Sequence, residues 1–225
     1  MRPSLKTPAH TTGLLAELVC SNSFKSLSVS SPTGRLKADL SLMDSLIMRE
    51  ALNCSVPAGK ALAVDRIKLG EAVTAAIEGE VNINLVRKEA RGVPEGYDSV
   101  ILATGPLTSA SMAASIGKLI GGDQLYFYDA IAPIVEAGSI DMNIAFVQDR
   151  YGQEGRGDYL NLPMNREEYE LFVKALIQAD AVEPAEFERK YYFEGCLPVE
   201  EIASRGADSL AFGPLKPVGL TDPAT

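Results

Sequence analysis

The stretch that most constrains this chain is Asp98–Pro106, Asp-Ser-Val-Ile-Leu-Ala-Thr-Gly-Pro. Val100, Ile101, Leu102 and Ala103 form an unbroken apolar run, too short for a helix core and bounded by turn residues. That pattern predicts a strand buried on both faces, as in a parallel sheet. Thr104-Gly105-Pro106 ends it: glycine lets the backbone turn or approach a ligand closely, and proline removes a ladder donor. In open α/β sheets ligands lie beyond the carboxyl ends of strands. Thr104 and Gly105 therefore stand where a cofactor would lie. The plainer reading of the same residues is a buried strand followed by an ordinary turn.

The flanking sequence predicts the rest of an α/β unit. Leu14, Leu15, Leu18 and Val19 read as a short helix ending near Cys20. Ser21–Ser31 is loop, because Ser and Asn compete for backbone hydrogen bonds. Leu36, Leu40, Met43 and Ile47 recur at helical spacing to about Leu52. Asp65 caps a helix with Val73, Ala76 and Ile77 on one face. Val81, Ile83 and Leu85 alternate with Asn82 and Asn84, a strand period. Beyond Pro106, Thr108 caps a helix through Met112, Ile116 and Leu119 that Gly121-Gly122 closes. Leu125–Tyr128 reads as a strand, and Glu183-Pro184 restarts a short helix. Asn165 and Glu168 form a capping box for a helix whose buried face is Tyr169, Phe172, Leu176 and Ala179. The fold class is α/β, with a boundary near Pro106 that divides residues 1–106 from 107–225.

Composition excludes several classes. With 46% hydrophobic residues among 225, the chain has material for a core, and wholesale disorder is excluded. No apolar run is long enough to span a bilayer, and no apolar h-region follows Met1-Arg2-Pro3. The expectation is no membrane association. Three widely spaced cysteines, Cys20, Cys54 and Cys196, read as free thiols in a reducing cytoplasm. A net charge of −9 argues against indiscriminate nucleic-acid binding, and DNA is not an expected partner. The acidic excess lies beyond residue 91. Lys25, Arg35, Lys37 and Arg49 could form a local basic patch in the first part.

Two thiols have chemistry in their surroundings. Cys196 lies in Glu194-Gly195-Cys196-Leu197-Pro198, with Pro198 at the first helical position and Gly206 past the helix end. A helix N-terminus favours a thiolate, although Glu194, Glu200 and Glu201 oppose it. Cys20 precedes Ser21-Asn22-Ser23 and is ringed by hydrogen-bonding side chains. Cys196 could equally be a small buried apolar group, whereas the polar neighbourhood of Cys20 is unusual for a merely structural thiol. Cys54 ends a helix and is incidental. His10 is the only histidine. No nucleophile-elbow motif accompanies it, and no Cys-x-x-Cys pair supports a metal site.

Several blocks in one order carry a resemblance. They include Thr7-Pro8-Ala9-His10, Glu17 to Ser23, Pro57-Ala58-Gly59, Ala61 to Arg66, and Ala103 to Ser109. They continue with Tyr126 to Ala130, Ala132 to Ala137, Tyr191 to Glu200, and Phe212-Gly213-Pro214. Together they resemble the folate- and flavin-dependent tRNA uracil-5 methyltransferases, the TrmFO family, which is related to the GidA-type flavoproteins. Phe24-Lys25 stands where that family usually has Leu-Arg. The resemblance implies a cytoplasmic enzyme that forms 5-methyluridine in the tRNA T-loop. Its cofactors and co-substrates would be FAD, 5,10-methylenetetrahydrofolate and NAD(P)H. It implies Cys196 and Cys20 as catalytic, one as nucleophile at uracil C6 and the other assisting, with either order open. Thr104, Gly105 and His10 would border FAD, and Lys25 would contact an RNA phosphate. It also implies a middle portion: a partial FAD-binding Rossmann-like domain over 1–106 and an inserted α/β substrate-side domain over 107–225. The Gly-rich phosphate loop and the remaining flavin domain would be absent, and such a portion is expected to be inactive alone. The alternatives are a non-catalytic remnant or interaction module, and a related tRNA-modifying flavoprotein acting at another uridine.

Overall fold

Ala61–Val64 (β3) is the centre of the first half, and its burial explains its sequence. Leu62, Ala63 and Val64 are all buried, so this four-residue apolar run has packing on both faces. In the computed structural model, residues 10–19, 21–105, 108–121, 135–150, 157–180 and 197–222 are described. Ser23–Ser26 (β1) and Ser55–Val56 (β2) both pair antiparallel with β3, giving the order β1-β3-β2. Pro32–Leu42 (α1), Leu46–Asn53 (α2) and Arg66–Glu78 (α3) complete this half. Met48 and Ala51 of α2 and Leu69 and Val73 of α3 close over Leu62 and Val64 as one core.

The helix boundaries follow side-chain chemistry. Asp65 caps α3 by accepting from the N–H groups of Ile67 and Lys68, as its sequence predicts. The Leu36–Ile47 periodicity predicts one helix, but two are present. Asp44 takes a left-handed φ of 52° and Ser45 starts a new helix by accepting from Met48 N–H. Periodicity alone does not register such a break, because the apolar spacing continues through it.

The second half has its own core. Ala110–Ile120 (α4) starts at Ser109, which accepts from Met112 N–H, and ends at Gly121 with φ 67°. Thr108, the expected cap, instead donates to Gly105 O. Phe146–Val147 (β4) and Leu160–Asn161 (β5) form an antiparallel pair. Arg166–Gln178 (α5) carries the expected capping box of Asn165 and Glu168. Val173 on α5, Ala203 on Val199–Ser204 (α6) and Leu210 form a second buried cluster, flanked by Tyr169 and Leu176. Phe172, expected inside, is 40% exposed.

Three sequence expectations are corrected. Residues 14–19 form turns rather than a helix. Glu17 dominates that segment: its carboxylate accepts from the N–H and hydroxyl of both Thr11 and Thr12, which holds a turn that a helix would break. Residues 81–86 and 98–103 are not strands, and Val81 and Ile101 are 93% and 89% exposed. A strand needs a ladder partner, and among the described residues neither segment has one. Every ladder described is antiparallel. The mixed helix and sheet content agrees with an α/β chain. The expected strand at 125–128 and helix at 183–184 lie outside the described residues.

Candidate functional site

Lys25 is placed by a bulge. The pairing of β1 with β3 shifts register between Ser23 and Ser26, and Lys25 sits there at φ 64°. Its N–H donates to Ser23 Oγ at 3.1 Å. A bulge re-aims one side chain out of the ladder. The Lys25 side chain is exposed and has no ion pair among the described residues.

Lys37, one of the four residues of the expected basic patch, is the one whose burial the sequence did not show. It is only 7% exposed and reaches from α1 back to β1. Its ammonium donates to Ser26 O at 3.0 Å and Thr33 O at 2.8 Å. Burial lowers its pKa from the usual lysine value, and the charge of Lys25 lowers it further. The other two members of the expected basic patch are neutralised. Arg35 pairs with Asp39, and Arg49 pairs with Asp44 and Glu50. The signal in the sequence was the i, i+3 spacing of Gly34 and Lys37, which puts both on the buried face of α1.

Thr104 and Gly105 lie on the surface. The Thr104 and Thr108 hydroxyls are 2.6 Å apart. Gly105 has φ 67°, and beyond its chain neighbours no atom of the described residues lies within 4 Å of where its Cβ would be. Its backbone is therefore open to a close approach from outside. His10 is partly buried at the start of the Thr11–Glu17 turn. Cys20 and Cys196 lie outside the described residues. Further along the chain, α6 begins at Val199 with Glu200 and Glu201 in its first turn. Cys54 caps α2 and packs against the first core, which makes it a structural thiol.

The β4–β5 hairpin ties the two halves together. Asp158 Oδ2 accepts from Gly59 N–H at 2.6 Å, and Tyr159 donates to Ala58 O at 3.1 Å. Burial, then the charges of Asp149 and Asp158, raise the Tyr159 pKa, so the phenol stays a donor. On the other side, Arg150 donates to Pro214 O and Lys216 O, and Thr221 N–H donates to Gln148 Oε1. The sequence offers no motif for this contact, because its partners are about a hundred residues apart.

Comparisons with known proteins identify the lineage. The chain is 53% identical over its whole length to the methylenetetrahydrofolate–tRNA-(uracil-5-)-methyltransferase TrmFO of Desulfotalea psychrophila. It is 51% identical over its whole length to the proteins of the same name from Persephonella marina and Bacillus cereus. In each case it covers 51% of the relative, so the chain spans about half the length of the curated relatives it matches. The family described as glucose inhibited division protein A matches residues 4–225, and the chain belongs to that family.

Proposed function

We propose that this chain carries part of a methylenetetrahydrofolate–tRNA-(uracil-5-)-methyltransferase that forms 5-methyluridine in the T-loop of tRNA in the cytoplasm. The observation that carries this reading is its end-to-end identity of about half to proteins of that name. The two separate cores, one over residues 48–73 and the other over 173–210, support a division near Pro106. Residues 1–106 would be a partial Rossmann-like FAD domain and 107–225 a substrate-side domain. The open face of Gly105 suits a flat cofactor, and Thr104, Gly105 and His10 are the residues that would border FAD. When bound and reduced by NAD(P)H, FAD supplies the reducing power for the transferred carbon.

The chain's own contribution is nucleophilic. Uracil C5 is a poor nucleophile. A thiolate adding at C6 forms an S–C6 bond and makes C5 an enolate carbon able to attack a methylene electrophile. A base then removes the C5 proton, and elimination returns the thiolate. Cys196 is the assigned nucleophile and Cys20 the assisting group. Lys25 would hold an RNA phosphate.

The test is formation of 5-methyluridine in unmodified tRNA transcript, with methylenetetrahydrofolate, FAD and NADPH, by the protein in the form the cell makes. The wild type should methylate. Cys196→Ala should lose at least about a thousandfold in rate, the scale on which removing a covalent nucleophile acts. Full activity in Cys196→Ala would sink the nucleophile assignment. Methylation at a uridine outside the T-loop would sink the substrate assignment.

A further inference from the structure

We propose that Lys25 and Lys37, together with the serine-lined loop between β1 and α1, form a binding site for a phosphoryl group. The source favoured is the backbone of the substrate RNA, which rests on the tRNA reading above.

The case begins with a charge that no acid among the described residues compensates. An ammonium has three N–H donors. Lys37 spends two on the carbonyls of Ser26 and Thr33, and the third has no acceptor among the described residues. Neutral carbonyls satisfy hydrogen bonds but leave the charge unpaired. No carboxylate lies within ion-pair distance of Lys25 or Lys37 among the described residues, whereas Arg35 and Arg49 nearby are both paired. A buried cation beside a like charge costs free energy, and the attraction of an arriving anion offsets that cost.

The Lys37 ammonium reaches the strand that carries Lys25. Lys37 is anchored on the carbonyl of Ser26, the residue next to Lys25, and the β1 bulge turns Lys25 outward. The intervening loop presents hydroxyls. Ser28 Oγ and Ser30 Oγ lie 2.7 Å apart, both exposed. Two cations with hydroxyl donors suit a tetrahedral oxyanion better than a planar carboxylate, which is the province of arginine forks. Lys37 thus acts as a fixed charge and Lys25 as the mobile contact.

The experiment measures binding of an unmodified T-arm RNA hairpin by fluorescence anisotropy between 50 and 300 mM KCl on a log scale, and of inorganic pyrophosphate by phosphorus NMR. These ranges are chosen because each phosphate contact contributes about one to the salt slope. The proteins are wild type, Lys25→Ala, Lys37→Met and Lys37→Arg, each with its urea midpoint recorded. Lys25→Ala and Lys37→Met should each weaken RNA binding roughly 3- to 10-fold and lower the salt slope by about one. Lys37→Arg should retain most of the affinity. If Lys37→Met does not fold, Lys25→Ala and Lys25→Glu carry the test. Wild-type affinity and slope for both ligands in the folded variants would overturn the site. Pyrophosphate binding that depends on both lysines, with no RNA binding by the wild type, would keep the site and overturn the tRNA reading.

Discussion

Gly34 leaves no room for a methyl group. A Cβ there would overlap the Ser28 carbonyl and reach the Leu27 backbone, so α1 lies directly on the loop that leads to it. Because the obstacle is backbone, it cannot swing aside. Gly34→Ala should cost about 1–3 kcal/mol or more, as overpacking does, and a lowered urea midpoint reads it. Glu17 makes a prediction about acid. Burial raises its pKa, but four hydrogen bonds from Thr11 and Thr12 outweigh that and hold it at about 2, against an ordinary 4.5. The folded value lies below the unfolded one. The stabilisation is therefore present above about pH 4.5 and is lost as pH falls towards 2. Wild type and Glu17→Gln should differ most at neutral pH and converge near pH 2 in unfolding followed by circular dichroism. A constant gap across that range would refute the hydrogen-bonded carboxylate.

At the scale of elements, α5 shows how much local chemistry sets. Asn165 accepts from Glu168 N–H at 2.9 Å, and Glu168 returns the bond to Asn165 N–H at 2.8 Å. Asn165→Ala should cost about 1 kcal/mol, visible as a lower thermal midpoint. The β4–β5 hairpin has no such local origin. Its bonds to Ala58 and Gly59 join segments about a hundred residues apart. Asp158→Ala with Tyr159→Phe should remove two hydrogen bonds worth roughly 1 kcal/mol each. Amide exchange at Gly59 should then quicken while exchange in β3 stays slow. Unchanged exchange at Gly59 would mean that the hairpin does not hold that loop.

At the scale of the molecule, two cores set what each half contributes, and the β4–β5 hairpin and the Ser111–Glu89 hydrogen bond link those halves among the described residues. The first half packs β3 between α2 and α3 and carries Lys25, Lys37 and Gly105. The second packs α5 against α6 and the Leu210 turn. The first half's apolar segments at 81–86 and 98–103 are exposed, and the relatives are about twice as long as this chain. A protein extended to the length of those relatives should protect the Val100–Ala103 amides more strongly in hydrogen exchange than the 225-residue chain does. Equal exchange in the two would show that these residues are surface in both.

The sequence by itself determined the features whose physics is local. Asp65, Asn165 with Glu168, and Gly121 cap helices through bonds to residues within a few positions, so side-chain identity was enough. The apolar run of β3 was not read as interior from the sequence, and its burial emerged only in the fold. Residue order across the blocks was enough for lineage. Only the tertiary structure decided which apolar runs become strands, because a strand exists through its partner: Ala61–Val64 has two, and Val100–Ala103 has none among the described residues. It alone separated the four basic candidates as well, pairing Arg35 and Arg49 with acids and leaving Lys25 and Lys37 together. Whether a charge is paired depends on which groups the fold brings near it, and no spacing along the chain encodes that distance.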